Sequence, residues 1–149
     1  PDQVLICCGG GGLTAGSSIA LKARFPGVSV HTVEPEAFDD TARSLELGER
    51  VCVDESARSI CDALQAHTPG AMTFAINKEL VGAGLRVSDD EVRDAMRFAF
   101  RNLKLVLEPG GAVALAAVLA GKIETAEKVT VVVLSGGNVD IDLFAEIQR

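Results

Sequence analysis

Four consecutive glycines, Gly9–Gly12, stand between a short apolar run, Gln3–Cys8, and a stretch with helical patterning, Leu13–Arg24. A strand that ends in bare glycines and resumes as a helix leaves the chain few options. Glycine lets the main chain turn sharply and approach a ligand, and the first N–H groups of a helix have no partner within it. The two features together form a cradle for an anion, phosphate above all, because both the amides and the helix dipole favour negative charge. No Gly-Lys-Ser/Thr follows, so the loop is not a nucleoside-triphosphate P-loop. Gly10-Gly11-Gly12-Leu13-Thr14-Ala15 does satisfy the loose GxGxxG/A dinucleotide pattern, and Glu34 ends the next strand where a ribose-binding acid would stand. A non-catalytic NAD- or nucleotide-binding module and a ligand-free glycine turn are the competing readings of this segment.

Downstream, strand and helix signals alternate. Val28–Val33 reads as a strand, Glu36–Leu47 as a helix stopped by Gly48, and Arg50–Val53 as a short strand. Residues 56–80 read as two helical pieces split by Thr68-Pro69-Gly70. Ser88-Asp89-Asp90-Glu91 is a capping box, and Val92, Met96, Ala99, Leu103 and Val106 then recur at helical spacing. Glu108-Pro109-Gly110-Gly111 breaks that helix. Ala112–Ala120 is apolar on every side and predicts a helix buried all round, closed by Gly121. Lys128–Leu134, nearly all Val, predicts a parallel strand covered on both faces. Ser135-Gly136-Gly137-Asn138 turns out of it into a last helix. The alternation predicts one α/β domain over residues 1–149, a mainly parallel sheet covered by helices.

Composition narrows the function classes. Hydrophobic residues make up 48% of the 149, and the 15 glycines raise the set to about 58%, above the roughly 45–50% of an ordinary soluble domain. Such an excess excludes disorder and points to apolar surface meant for a partner segment. A net charge of −7 argues against nucleic acid or an anionic membrane as partner. No apolar run approaches the roughly 18 residues of a membrane span. Cys7, Cys8, Cys52 and Cys61 lack CxxC spacing and read as small buried hydrophobes of a reducing cytoplasm. The chain opens at Pro1 and enters a strand at once, so it is expected to be cut from something longer.

Four motifs come in a familiar order: Gly9-Gly10-Gly11-Gly12-Leu13 with Ala15-Gly16; Val33-Glu34-Pro35 with Asp39-Asp40; Leu107-Glu108-Pro109-Gly110-Gly111-Ala112; and Leu134-Ser135-Gly136-Gly137-Asn138-Val139-Asp140. Together they resemble the C-terminal half of the pyridoxal 5'-phosphate (PLP) enzymes of the threonine dehydratase/serine racemase family, of fold type II. This resemblance outweighs the NAD reading. It implies that the amides of Gly9, Gly10, Gly11, Gly12 and Leu13 hold the cofactor phosphate and that Ser135 hydrogen-bonds the pyridine nitrogen. It also implies a divalent-cation site for Mg²⁺, Mn²⁺ or Ca²⁺, built from Glu34, Asp40 and the backbone carbonyl of Phe38. An all-oxygen shell suits these hard cations. The competing reading is that Asp39 and Asp40 merely complement a helix N-terminus. Glu108 is expected either behind the cofactor pocket or on the surface.

The implied reaction is deamination of a β-hydroxy amino acid to a keto acid and ammonia, with 3-hydroxyaspartate dehydration or serine racemisation possible on the same scaffold. One departure is large. The family's Schiff-base lysine and the loop that grips the substrate carboxylate lie in an N-terminal half with no counterpart here. Lys22, Lys78, Lys104, Lys122 and Lys128 have no matching context. The chain is therefore expected to be most of the large, cofactor-binding domain, inactive alone, completed by the missing N-terminal half and dimeric when whole. A split or proteolysed subunit is the remaining alternative.

Overall fold

The computed structural model describes residues 1–149. In chain order the elements are β1 (Gln3–Cys7), α1 (Gly12–Arg24), β2 (Ser29–Pro35), a 3-10 turn (Glu36–Phe38), α2 (Asp40–Leu47), a second 3-10 turn (Asp62–Leu64), α3 (Ala71–Leu80), β3 (Gly84–Val87), α4 (Asp89–Phe98), a π-helical turn (Ala99–Leu103), α5 (Pro109–Leu119), β4 (Thr130–Val132) and α6 (Ile141–Gln148). The four strands form one sheet in the order β3-β2-β1-β4, every pair parallel. In the central strand, Gln3 lies opposite Ser29 on one side and Thr130 on the other.

Strand alternation sorts the core into two layers. Leu5 and Cys7 of β1 join Val33 and Val87 on the face covered by α5, behind which α4 and α6 pack. Val4 and Ile6 join Val28 and Val30 on the opposite face, against Leu21 of α1. Helix α5 is the keystone of the larger layer: every residue from Pro109 to Ala117 is buried. Its small side chains let it lie close to β1, β2 and β3 together. Pro109 occupies its first turn, where a missing N–H costs nothing.

Several sequence expectations need correction. Arg50–Val53 forms no strand. The edge strand β3, four residues with a leading glycine, has no strand signal in the sequence. An ideal Cβ on Gly84 would stand 2.5 Å from the Ala42 side chain, so close packing of α2 rather than strand propensity sets its sequence. The helix opened by the capping box, present as expected at Ser88 and Glu91, ends in the π-helical turn. Lys104 there adopts a left-handed conformation, and Val106 lies outside the helix and exposed. Helix α5 begins three residues before the expected Ala112. The Val-rich run forms only a three-residue edge strand, with Val129 64% and Val131 41% exposed, rather than a strand covered on both faces. Beside it an almost wholly apolar groove of about 360 Å³ lies between β1, β4 and α1, lined by Val4, Ile6, Leu21, Phe25, Val131 and Val133. Three cysteines are buried as expected, Cys52 is exposed, and none forms a disulfide. No helix is long and apolar enough to cross a membrane.

Candidate functional site

The strand order reverses between β1 and β4: the chain runs outward from β1 through β2 to β3, then crosses back to the other side of β1. In a parallel sheet such a switch point opens a crevice at the carboxyl ends of the two strands, because the connections leave in opposite directions. A cavity of about 260 Å³ lies there, lined by Cys7, Gly9–Leu13, Ala63, Leu64 and Ser135. The glycine loop thus comes from the end of β1 and Ser135 from the segment after β4, two parts of the sequence the sheet brings together.

The loop is built to present amides. Gly11 stands before α1 with φ +88°, a left-handed conformation natural to glycine. No side chain caps this helix, and no acidic residue lies in its first turn. None of the N–H groups from Gly9 to Thr14 donates to a protein acceptor, while Ala15 begins the helical pattern by donating to the Gly11 carbonyl at 2.9 Å. The loop's carbonyls, in contrast, are occupied. Gly10 accepts from Thr73 Oγ1 at 2.6 Å and from the Gly70 amide at 3.2 Å, and Gly11 accepts from Asn77 Nδ2 at 3.4 Å. A Cβ on Gly10 or Gly12 would meet nothing within 4 Å. Free donors, a favourable dipole end and open space are the features an anion cradle needs. Thr73, Asn77 and Gly70 had no signal in the sequence, because they lie some sixty positions away and meet the loop only through the packing of α3 on α1.

Across the cavity, Ser135 is exposed and its Oγ lies 3.1 Å from Cys7 Sγ. Burial pushes the Cys7 thiol up, partly offset by that hydroxyl, so the thiol is neutral at pH 7. Glu108 proves to hold the turn that follows Ser135: its Oε2 accepts from the Asn138 amide at 3.0 Å, and its own amide donates to the Gly136 carbonyl at 3.1 Å. A Cβ on Gly136 would stand 2.5 Å from Glu108 Oε1, so any side chain there displaces the carboxylate that holds Asn138.

Glu34 and Asp40 lie together at the end of β2, away from this cavity's lining. Glu34 is fully buried, and its two oxygens accept from the Thr41 and Ala42 amides at 2.9 and 2.7 Å, so it caps α2 from the neighbouring strand. A carboxylate so enclosed is not presented to a ribose, which removes the structural basis of the NAD reading. Burial, and then the charge of Asp40, push Glu34 up to about 8. Asp40 is 1% exposed with neither carboxylate oxygen hydrogen-bonded, and burial pushes it up to about 7. Asp39 belongs elsewhere, bonded to Arg86 at 2.8 Å. Phe38 is buried and meets His67 edge-on. No cluster of three or more His, Cys, Asp or Glu side chains converges on a metal position.

Comparison with known proteins agrees with this geometry. The family described as pyridoxal-phosphate dependent enzyme matches residues 1–136. Serine racemase of Schizosaccharomyces pombe is 40% identical over 144 residues, covering 97% of this chain and 44% of its own length. L-threo-3-hydroxyaspartate ammonia-lyase of Pseudomonas sp is 37% identical over 148 residues, 99% of this chain and 46% of its own. The crystal structure of threonine deaminase from T.th. superposes with a TM-score of 0.88 at 40% identity, covering 95% of this chain and 47% of that one. The chain thus spans a little under half the length of the relatives it matches. The residues present fit the phosphorylated cofactor, since unpaired loop amides and a neutral hydroxyl face one cavity. With the strand–glycine–helix cradle, the switch-point crevice and these matches in agreement, the chain belongs to the pyridoxal-phosphate-dependent enzymes of fold type II.

Proposed function

We propose that this chain forms most of the large domain of a PLP-dependent ammonia-lyase of the serine/threonine dehydratase type, which converts a β-hydroxy amino acid to a 2-keto acid and ammonia. Relatives named serine racemase, L-threo-3-hydroxyaspartate ammonia-lyase and catabolic L-threonine dehydratase support the scaffold, and the first two name its alternative activities. The observation that carries the reading is the shared cavity of Gly9–Leu13 and Ser135. When bound, PLP supplies the electron sink that makes the α-hydrogen of an amino acid acidic and lets a β-hydroxyl leave.

The residues of this chain do the holding and tuning. The amides of Gly9, Gly10, Gly11, Gly12 and Leu13 bind the phosphate dianion, each charge-assisted bond contributing about 1.5–3 kcal/mol. Ser135 donates to the ring nitrogen. An uncharged hydroxyl there, unlike a carboxylate, does not stabilise a proton on that nitrogen, and the neutral Cys7 thiol beside it adds no charge. Glu108 fixes the Ser135 turn by its bond to Asn138. A divalent cation, Mg²⁺, Mn²⁺ or Ca²⁺, held by Glu34, Asp40 and the Phe38 carbonyl belongs to the same proposal. The unpartnered, buried Asp40 carboxylate supports it. The lysine that carries the cofactor, the substrate-carboxylate loop, a homodimeric assembly and a cytoplasmic location complete the picture by resemblance.

The test is an assay of the full-length protein with L-serine, L-threonine and 3-hydroxyaspartate. Equal amounts of keto acid and ammonia are expected from at least one of them. Ser135→Asp is expected to lower that rate by about tenfold or more, because the new charge stabilises a proton on the ring nitrogen. Neither product from any substrate, with PLP bound, overturns the lyase assignment.

A further inference from the structure

The orientation of the loop amides has an identifiable cause outside the loop. A trans peptide is planar, so each carbonyl points opposite to the N–H of the following residue. The Gly10 carbonyl is held on the α3 side by Thr73 Oγ1 at 2.6 Å and by the Gly70 amide at 3.2 Å. The Gly11 carbonyl is held on the same side by Asn77 Nδ2 at 3.4 Å. The Gly11 and Gly12 N–H groups are thereby turned away from α3, which contributes no residue to the cavity that Gly9–Leu13 line. The Thr73 hydroxyl also lies 3.1 Å from the Gly70 carbonyl of its own helix start, and the shorter contact crosses to the loop. Four successive glycines lose more conformational freedom on ordering than any other tetrapeptide, so an unpinned loop would lose that freedom only on binding.

We infer that Thr73 is a positioning residue for the anion cradle, fixing the Gly10 carbonyl so that the Gly11 amide faces the cofactor phosphate. The inference rests on the assignment of Gly9–Leu13 as the phosphate site. Thr73 does not touch the phosphate. Its effect is selective for a phosphorylated ligand, because only the phosphate meets the amides it orients. Gly70 and Asn77 assist: a Cβ on Gly70 would stand 2.8 Å from Thr73 Oγ1, and Asn77 is 1% exposed.

The experiment uses the full-length protein with Thr73→Val, which removes the hydroxyl at nearly constant volume, and Thr73→Ser, which keeps it. Affinities for PLP and for pyridoxal, which lacks the phosphate, are measured by absorbance titration, with the ³¹P shift of bound PLP as a second readout. Thr73→Val is expected to weaken PLP by about tenfold while changing pyridoxal by less than about twofold. Its ³¹P resonance should move toward the free value, and Thr73→Ser should match wild type. Thr73→Ala repeats the comparison if Thr73→Val lowers the melting temperature. Equal weakening of both ligands would make Thr73 a merely structural residue and overturn the inference. So would an unchanged preference for PLP in the variants. A wild-type protein that binds PLP no better than pyridoxal would overturn the phosphate-site assignment itself, and the inference with it.

Discussion

Two buried carboxylates, Glu34 and Asp40, lie near the end of β2, where the charge of Asp40 raises Glu34 and no basic side chain is bonded to either. Val33-Glu34-Pro35 marked Glu34 only as a candidate, and its observed place as the cap of α2 was not legible, since that depends on where β2 ends relative to α2. The Asp39-Asp40 pair was legible only as a pair. The fold separates them, giving Asp39 to Arg86 and burying Asp40 unpartnered. Their protonation makes stability depend on pH. Both pKa values are raised on folding, to about 8 and about 7, so between the unfolded and folded values the native state holds more protons than the unfolded state. Unfolding free energy from this pair is therefore fully present below about pH 4 and is lost as pH rises through about 7–8. With a chelator present, Asp40→Asn is expected to flatten that fall and to melt several degrees above wild type at about pH 8.5. Millimolar Mg²⁺ or Mn²⁺ should restore the wild-type melting temperature at that pH and leave Asp40→Asn unmoved. Melting curves that coincide for the two proteins at about pH 5.5 and about pH 8.5 would refute the account.

At the scale of elements, the glycine loop separates two kinds of requirement that the sequence shows as one run. Gly11 is needed by the fold: φ is +88°, and a Cβ would stand 2.9 Å from Asn77 Nδ2 and 3.0 Å from Thr73 Oγ1. Gly10 and Gly12 face open space and lie outside the left-handed region, so no contact within the fold requires them bare. Gly11→Ala should therefore destabilise the protein by about 1–3 kcal/mol and weaken PLP as well. Gly10→Ala should leave stability within about 0.5 kcal/mol of wild type while weakening PLP by about tenfold or more. Thermal melts paired with PLP titrations distinguish them, and a Gly10→Ala protein that binds PLP normally would place the phosphate elsewhere. The strong local signals, the capping box at Ser88 and the apolar helix after Pro109, named their elements from sequence. Elements set by contacts were hidden. Strand β3 exists because β2 offers an edge and the bare Gly84 leaves room for Ala42, and the helical run that α4 opens stops after the π-helical turn at the left-handed Lys104 rather than where apolar spacing ends.

Across the whole molecule, the parallel α/β architecture was legible because β1 is a fully buried apolar run and α5 is buried from Pro109 to Ala117, although its end at Leu119 is exposed against the expectation of a helix buried all round. The position of the Val-rich run was not, since valine suits an edge strand and a central strand equally. Local sequence does not say whether a neighbour covers the second face. In the structure that face stays open: β4 pairs only with β1, and Val129, Val131 and Phe25 remain substantially exposed. The apolar excess of the composition thus has a location. A flat Val edge beside an apolar groove is a site for strand pairing and self-association unless it is charged or covered. The 149 residues expressed by themselves are expected to bind an apolar dye and to sediment with a mass that rises with concentration. Val131→Lys places an ammonium at the exposed centre of β4 without touching the cavity of Gly9–Leu13 and Ser135. It should return sedimentation to the monomer and cut dye fluorescence by about half, while PLP affinity stays within about twofold of wild type. Association unaffected by that charge would show that another surface, such as the exposed Phe98 at the end of α4 with Phe100 and Leu103 of the π-helical turn, governs the behaviour of the isolated chain.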